Sequence, residues 1–229
     1  MPRKPLIVST RFCYHITNRS NNKEWFYLPP EETWQIFCRV LGRCSDLYQV
    51  EIRSFVLMSN HYHLIARTPL GDPGEVVRYL QTEVARAIQK KSGRINHIFG
   101  GRYKWSLLWN ESAFAFAYKY VARNPIAAGL CSRVEDWPLS ILFYQHWKRP
   151  LDIAVSDEYG PHEIFIPRVW SERLEWLNRP SPKELDVLIR KALRRYAFAF
   201  SLGNDCRKAV EQVSATYGIP LPVPATYSA

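Results

Sequence analysis

Short β-branched and aromatic runs alternate with long stretches of helical periodicity through the first 130 residues, and this alternation limits the chain to few folds. Phe12 to Thr17 (FCYHIT) reads as a first strand, and Asn18 to Asn22 as a turn by composition. Pro29-Pro30-Glu31 suits a helix start, because a first turn lacks N–H partners and favours negative charge. Ile36, Phe37, Val40 and Leu41 then recur at helical spacing. Tyr48 to Met58 reads as a second strand with Val50, Ile52, Ser54 and Val56 on one face; Ser59-Asn60 turns the chain, and His61 to Arg67 returns as the other half of a hairpin. Pro73-Gly74 precedes a helix over Glu75 to Lys91, with Val76, Leu80, Val84, Ala87 and Ile88 apolar. Phe99-Gly100-Gly101 breaks the chain, Tyr103 to Trp109 is a fourth strand, and Ser112 to Val121 is a third helix that Asn124-Pro125 should end. The order β-α-β-β-α-β-α predicts an α+β fold, an antiparallel sheet covered by helices on one face, of the split βαβ or ferredoxin-like kind.

After Trp137-Pro138 the character changes, which divides the chain into residues 1–150 and an extension over residues 151–229. Residues 151–170 are rich in Pro and acids and read as irregular; 171–178, 183–200 and Asp205 to Tyr217 read as helical, before a Pro-rich tail expected to be disordered. Lys183 to Tyr196 carries an apolar stripe of Leu185, Leu188, Ile189, Ala192 and Leu193, which fits packing on the core better than DNA contact or a partner. With no run of about 18 apolar residues, no membrane span is expected, and the first residues do not read as a signal peptide. Five scattered cysteines, none in a CxxC pair, fit reduced thiols in the cytoplasm rather than a disulfide framework or a zinc ribbon. Charge is segregated: residues 1–150 hold 21 Lys+Arg against 11 Asp+Glu, while residues 151–229 hold 10 of each. The whole net charge of +10 therefore sits on the first part, as expected of a polyanion-binding module.

The sharpest local signal is Met58-Ser59-Asn60-His61-Tyr62-His63. Side chains two apart on a strand point the same way, with Cα atoms about 7 Å apart. His61 and His63 could therefore grip one metal ion from one face while Tyr62 points to the other. HxH alone is weak, since such pairs are more often ordinary surface or core residues. About sixty residues on, Tyr120 and Asn124 are four apart. On a helix they differ by only about 40° and share a face, whereas Tyr118 and Asn124 do not. The Asn124 carbonyl oxygen could complete a mixed N/O site suited to Mg²⁺ or Mn²⁺. A tyrosine whose hydroxyl is deprotonated can attack a phosphorus polarised by such an ion.

Five motifs, in order, carry a resemblance: YHITNR (Tyr14–Arg19), FVLMSNHYHLIA (Phe55–Ala66), FGGRYK (Phe99–Lys104), YVARNPIAAGL (Tyr120–Leu130) and DWPLS (Asp136–Ser140). Over about residues 10–145 the chain resembles the single-tyrosine HUH transposases, closest to the branch of REP-associated tyrosine transposases. That resemblance implies the ferredoxin-like HUH fold, a divalent ion held by His61, His63 and Asn124, and Tyr120 as nucleophile. It also implies a 5′-phosphotyrosine intermediate with a free 3′-OH, and as substrate a DNA hairpin with single-stranded flanks. Relatives include dimers, and the REP-associated branch is more often monomeric. The chain departs from the pattern at Ala122, where many relatives have His, at Gly100, where Gln is common, and at Tyr62, where an aliphatic is usual. Basic groups expected to meet phosphate are Arg11, Arg19, Arg102 and Lys104, of which Arg19 and Arg102 lie within the motifs. Arg86, Lys90, Lys91 and Arg94, around the end of the second helix, fit equally well as cations offsetting its dipole. Two other readings compete with a strand transferase: a protein that keeps the fold and binds hairpins without cutting them, and an HxH hydrolase that uses metal-bound water and dispenses with Tyr120.

Overall fold

The computed structural model describes residues 6–155 and 165–200. In chain order the main elements are β1 (Cys13–Arg19), α1 (Pro30–Tyr48), β2 (Glu51–Leu57), β3 (His61–Arg67), α2 (Pro73–Ser92), β4 (Lys104–Leu108), α3 (Glu111–Ala127), α4 (Ile141–His146), α5 (Trp170–Asn178) and α6 (Lys183–Ala192). The strands form one antiparallel sheet in the order β2-β3-β1-β4. The α+β, ferredoxin-like architecture expected from the alternation is present. The helix expected over Asp205 to Tyr217, the Pro-rich tail and Cys206 lie outside the described residues. Cys13, Cys38, Cys44 and Cys131 are unbridged, and no helix among the described residues is long and apolar enough to cross a membrane.

The sheet is covered on both faces, not one. Tyr14, Ile16, Tyr62, Leu64 and Ala66 point into a core shared with α1 and α2. Cys13, Val56 and Ile65 point the other way, into a second core with α3, α5 and α6. The reason lies in the composition of α3. Every residue from Ser112 to Lys119 is buried, and a helix apolar all round needs a partner on each side. The sheet covers one side of α3, and Leu174, Leu177, Leu185, Leu188 and Ile189 of the extension cover the other.

Three local expectations are corrected. First, β2 does not keep one phase. Ile52 pairs with Ala66 and Ser54 with Ile65, so one extra residue bulges out and the faces exchange. Val50 and Ile52 consequently share a core with Phe55 and Leu57, while Val56 joins the α3 side. Second, α3 does not stop at Asn124-Pro125. It runs through the proline to Ala127 and ends where Gly129 adopts φ +71°. There Gly129 N–H donates to Ile126 O and Leu130 N–H to Pro125 O, a Schellman closure. Third, the helix expected over 183–200 ends at Ala192. Residues beyond it pair with the free edge of β4: Leu107 N–H donates to Tyr196 O and Phe198 N–H to Leu107 O. That edge pairing satisfies backbone groups that a further helical turn would have left on an open strand.

The extension is fastened to α3 by cations at a helix C-terminus. Lys119 Nζ donates to Trp176 O (2.7 Å), and Arg123 donates to Leu177 O (2.9 Å) and Asn178 O (2.7 Å). These are the last carbonyls of α5, which lack partners within the helix. Burial pushes the Lys119 ammonium down to about 7, helped by nearby Arg123 and Arg179 and opposed by Asp186. The folded protein thus binds fewer protons than the unfolded chain between about pH 7 and the ordinary lysine value of 10.5, so stability should rise with pH across that window. In Lys119→Met the rise should flatten, which urea unfolding midpoints of both proteins between pH 7 and pH 10 will measure.

Candidate active site

Strand β3 presents His61, His63 and Ile65 toward α3, and Tyr62 to the opposite core, as its alternation requires. The His61 and His63 rings lie 5.0 Å apart, centre to centre, nearly perpendicular. Helix α3 brings Tyr120 edge-on to His63 at 6.1 Å. Asn124 follows one turn later, and both Tyr120 and Asn124 are half-buried. Tyr118 is directed elsewhere, stacked on Phe114 in the core.

One polar atom of each expected ligand is tied by the protein. His61 Nδ1 lies 2.9 Å from Asn60 Oδ1, and Asn60 Nδ2 donates to Lys23 O (2.8 Å). Because the Asn60 amide nitrogen is used in that way, its oxygen faces His61 and accepts the Nδ1 proton. His61 Nε2 is then the unprotonated ring nitrogen. His63 Nδ1 lies 2.8 Å from Nε2 of His15, a buried residue of β1. Asn124 Nδ2 donates to Tyr120 O (2.9 Å), so the amide is held by its nitrogen and its oxygen is the atom that could ligate. Two imidazole Nε2 atoms and an amide oxygen are a donor set that fits Mg²⁺ or Mn²⁺. Among the described residues no three His, Cys, Asp or Glu side chains converge to hold a metal. Burial lowers the proton affinity of all three imidazoles: His15 to about 3, His61 below its ordinary value, and His63 well below it, with His15 and His61 adding to the effect there. Neutral imidazole is the form that ligates.

His61 also borders a cleft of about 380 Å³ lined by Thr17, Asn18, Arg19, Arg102, Lys104 and the Gly100-Gly101 pair. Three of the four cations expected to meet phosphate therefore gather beside the histidines. The fourth, Arg11, precedes β1 at its other end, seven residues of strand from Arg19, with its guanidinium over Phe12. At the end of α2, Arg86 pairs with Glu83, Lys91 with Glu32 and Arg94 with Glu24, the last also lying over the Tyr27 ring.

The glycine pair is held against β1. Gly100 N–H donates to Arg19 O (3.0 Å), and Asn18 Nδ2 donates to Gly101 O (2.9 Å). A Cβ on Gly100 would lie 2.9 Å from Ser20 O and 3.4 Å from Asn21 Cα. The glycine at this position is thus a steric requirement of the loop that delivers Arg102 and Lys104. Sequence reasoning missed His15 and gave Asn60 only a turn. A histidine inside an apolar strand was a visible signal, but its partner depends on the β1–β3 register.

A family model for IS200-like transposases matches residues 9–124, more than half of the chain. The chain belongs to the IS200-like transposase family. Among solved structures, it is similar to a REP-associated tyrosine transposase bound to a REP hairpin, with 19% identity over 71% of this chain and 96% of that one, at a TM-score of 0.54. A putative transposase from Deinococcus radiodurans matches at 16% identity over 53% of this chain and 95% of that one, at a TM-score of 0.36. No curated protein matches. In this IS200-like protein the HxH pair lies on β3, FGGRYK runs into β4, and Tyr120 lies on α3.

Gly100→Ala should destabilise the protein by about 1–3 kcal/mol, the usual cost of overpacking against backbone. Gly101→Ala, where nothing lies near the added Cβ but φ is +145°, tests backbone strain separately. Denaturant unfolding of both variants measures the two effects.

Proposed function

We propose that this IS200-like protein is a metal-dependent strand transferase that cuts and rejoins single-stranded DNA beside hairpins. One observation carries the reading: the Tyr120 ring stands 6.1 Å from His63 within a single chain, and the adjoining His61 borders the cleft lined by Arg19, Arg102 and Lys104. Residues 1–150 form the catalytic unit in this reading, and the extension over residues 151–229 braces α3 from outside. Because histidines and tyrosine belong to the same chain, a monomer suffices. The similar structure described with a REP hairpin supports a hairpin-flanked substrate.

His61, His63 and Asn124 would hold Mg²⁺ or Mn²⁺. The bound ion would polarise the scissile phosphate as a Lewis acid. Arg19, Arg102 and Lys104 neutralise the flanking phosphates and fix the strand in the cleft. The Tyr120 hydroxyl oxygen attacks phosphorus and loses its proton. The bond from phosphorus to the upstream 3′-oxygen breaks, and that oxygen takes up a proton as a free 3′-OH. DNA is then joined to Tyr120 through its 5′-phosphate. A 3′-OH from the same or another strand reverses the step and reseals the backbone, so bond energy is conserved without a nucleotide cofactor.

The test is a covalent protein–DNA adduct on a denaturing gel, using hairpins with single-stranded flanks from the sequence around the gene. Wild type should give an adduct with Mn²⁺ or Mg²⁺ and none with chelator, and Tyr120→Phe should give none. Cleavage that survives Tyr120→Phe would move the protein to metal-water hydrolysis, and hairpin binding without cleavage under either metal would make it a binding protein. Replacing Arg19, Arg102 or Lys104 singly by Ala should lower the slope of log affinity against log salt by about 0.7 for single-stranded DNA. Arg11→Ala, at the far end of β1, should leave that slope unchanged. Fluorescence anisotropy across a salt series measures both.

A further inference from the structure

The strongest unassigned group beside the site is His15. It is 2% exposed, lies on the α3 face of β1, and its ring lies end to end with that of His63, centres 5.1 Å apart and planes at 25°. In the β1–β3 register Thr17 is opposite His63 and His15 is opposite Ile65. His15 and His63 are thus diagonal neighbours, within reach of one another's rings. Their nitrogens, His15 Nε2 and His63 Nδ1, are 2.8 Å apart. Two facing imidazole nitrogens at that distance share a single proton, and its position sets the tautomer of both rings. If His15 donates, His63 carries its own proton on Nε2 and cannot ligate through it. If His63 donates, its Nε2 lone pair is available.

We propose that His15 is a positioning residue for the metal site: its Nε2 accepts the Nδ1 proton of His63 and so turns His63 Nε2 into the ligating atom. The inference rests on the metal-dependent reading above. It makes the two halves of the HxH pair equivalent, since Asn60 does for His61 what His15 does for His63. Outer partners of this kind orient ligating histidines and raise their basicity. His15 Nδ1 is buried without a hydrogen-bond partner. An unsatisfied buried polar atom is costly to keep, so packing alone would favour an apolar residue here. A proton acceptor for His63 is a reason to keep the imidazole.

Three proteins separate the possibilities: wild type, His15→Leu and His15→Gln. Leucine fills similar space and offers no acceptor, and the glutamine oxygen can take the place of Nε2. Mn²⁺ affinity is read by titration calorimetry or by loss of the free-ion EPR signal, on samples shown by circular dichroism to be folded. His15→Leu should bind Mn²⁺ roughly 10- to 100-fold more weakly, and His15→Gln should recover to within a few-fold of wild type. In the Mg²⁺-loaded wild type, two-bond ¹⁵N–¹H spectra should put the His63 proton on Nδ1, a readout that needs no variant to fold. A proton on His63 Nε2, or wild-type Mn²⁺ affinity in folded His15→Leu, would overturn the role of His15 while leaving the metal site standing. Wild-type protein that takes up Mn²⁺ no better than His61→Ala and His63→Ala would overturn the metal reading itself, and the role of His15 with it.

Discussion

Burial of α3 on every side is the constraint on which the rest depends. From Ser112 to Lys119 the helix has no polar face to give to water, so it must be sandwiched. One layer of the sandwich is the face of the sheet that carries His15, His61 and His63; the other is α5 and α6. Once the apolar stretch is seated, Tyr120 and Asn124 follow within the next turn and a half, where α3 emerges toward half-exposure beside the histidines. The hydrophobic effect thus sets the distance between the tyrosine and the HxH pair, although neither belongs to the hydrophobic core. The bond set from Lys119 and Arg123 to the end of α5 locks the outer layer at the same level of the helix.

Around that frame each polar group has one end tied and one end presented. Asn60 holds His61, His15 contacts His63, and Asn124 is anchored on the Tyr120 carbonyl. Such tethering reduces the rotamer freedom that ligands would otherwise lose on binding an ion. Pro125 contributes as well. By lacking an N–H it removes one helical bond to the Val121 carbonyl just past Asn124, yet the helix continues because its stop signal is Gly129. The motif read in the sequence as a helix end is an interruption within the helix.

The departures from the family pattern have local reasons. Tyr62 lies on the far face of β3, fully buried, its hydroxyl accepting from Gln81 (2.9 Å), so a long aromatic in the middle of HxH does not reach the face that carries His61 and His63. Ala122 is buried in the core around α3, where a histidine would need both room and a hydrogen-bond partner. Gly100 fits a loop closed onto Ser20. The DWPLS segment serves the sheet: Leu57 N–H donates to Leu139 O and Trp137 Nε1 to Leu57 O (2.9 Å), sealing the edge of β2.

The sequence by itself determined the element order, the strand alternation that puts His61 and His63 on one face, and the helical spacing that aligns Tyr120 with Asn124. These are local periodicities, fixed by 2 residues per strand repeat and 3.6 per helical turn. The tertiary structure alone decided three things. It bulged β2, because register depends on the partner strand. It placed a helical layer on the second face, because only packing reveals what an apolar helix is packed against. It set His15 against His63 and gathered Arg19, Arg102 and Lys104 beside His61 while leaving Arg11 at the other end of the strand. The His15–His63 contact joins residues 48 positions apart and the Asn18–Gly101 bond residues 83 apart, and a chain read in order carries no distance between segments until the sheet pairs them.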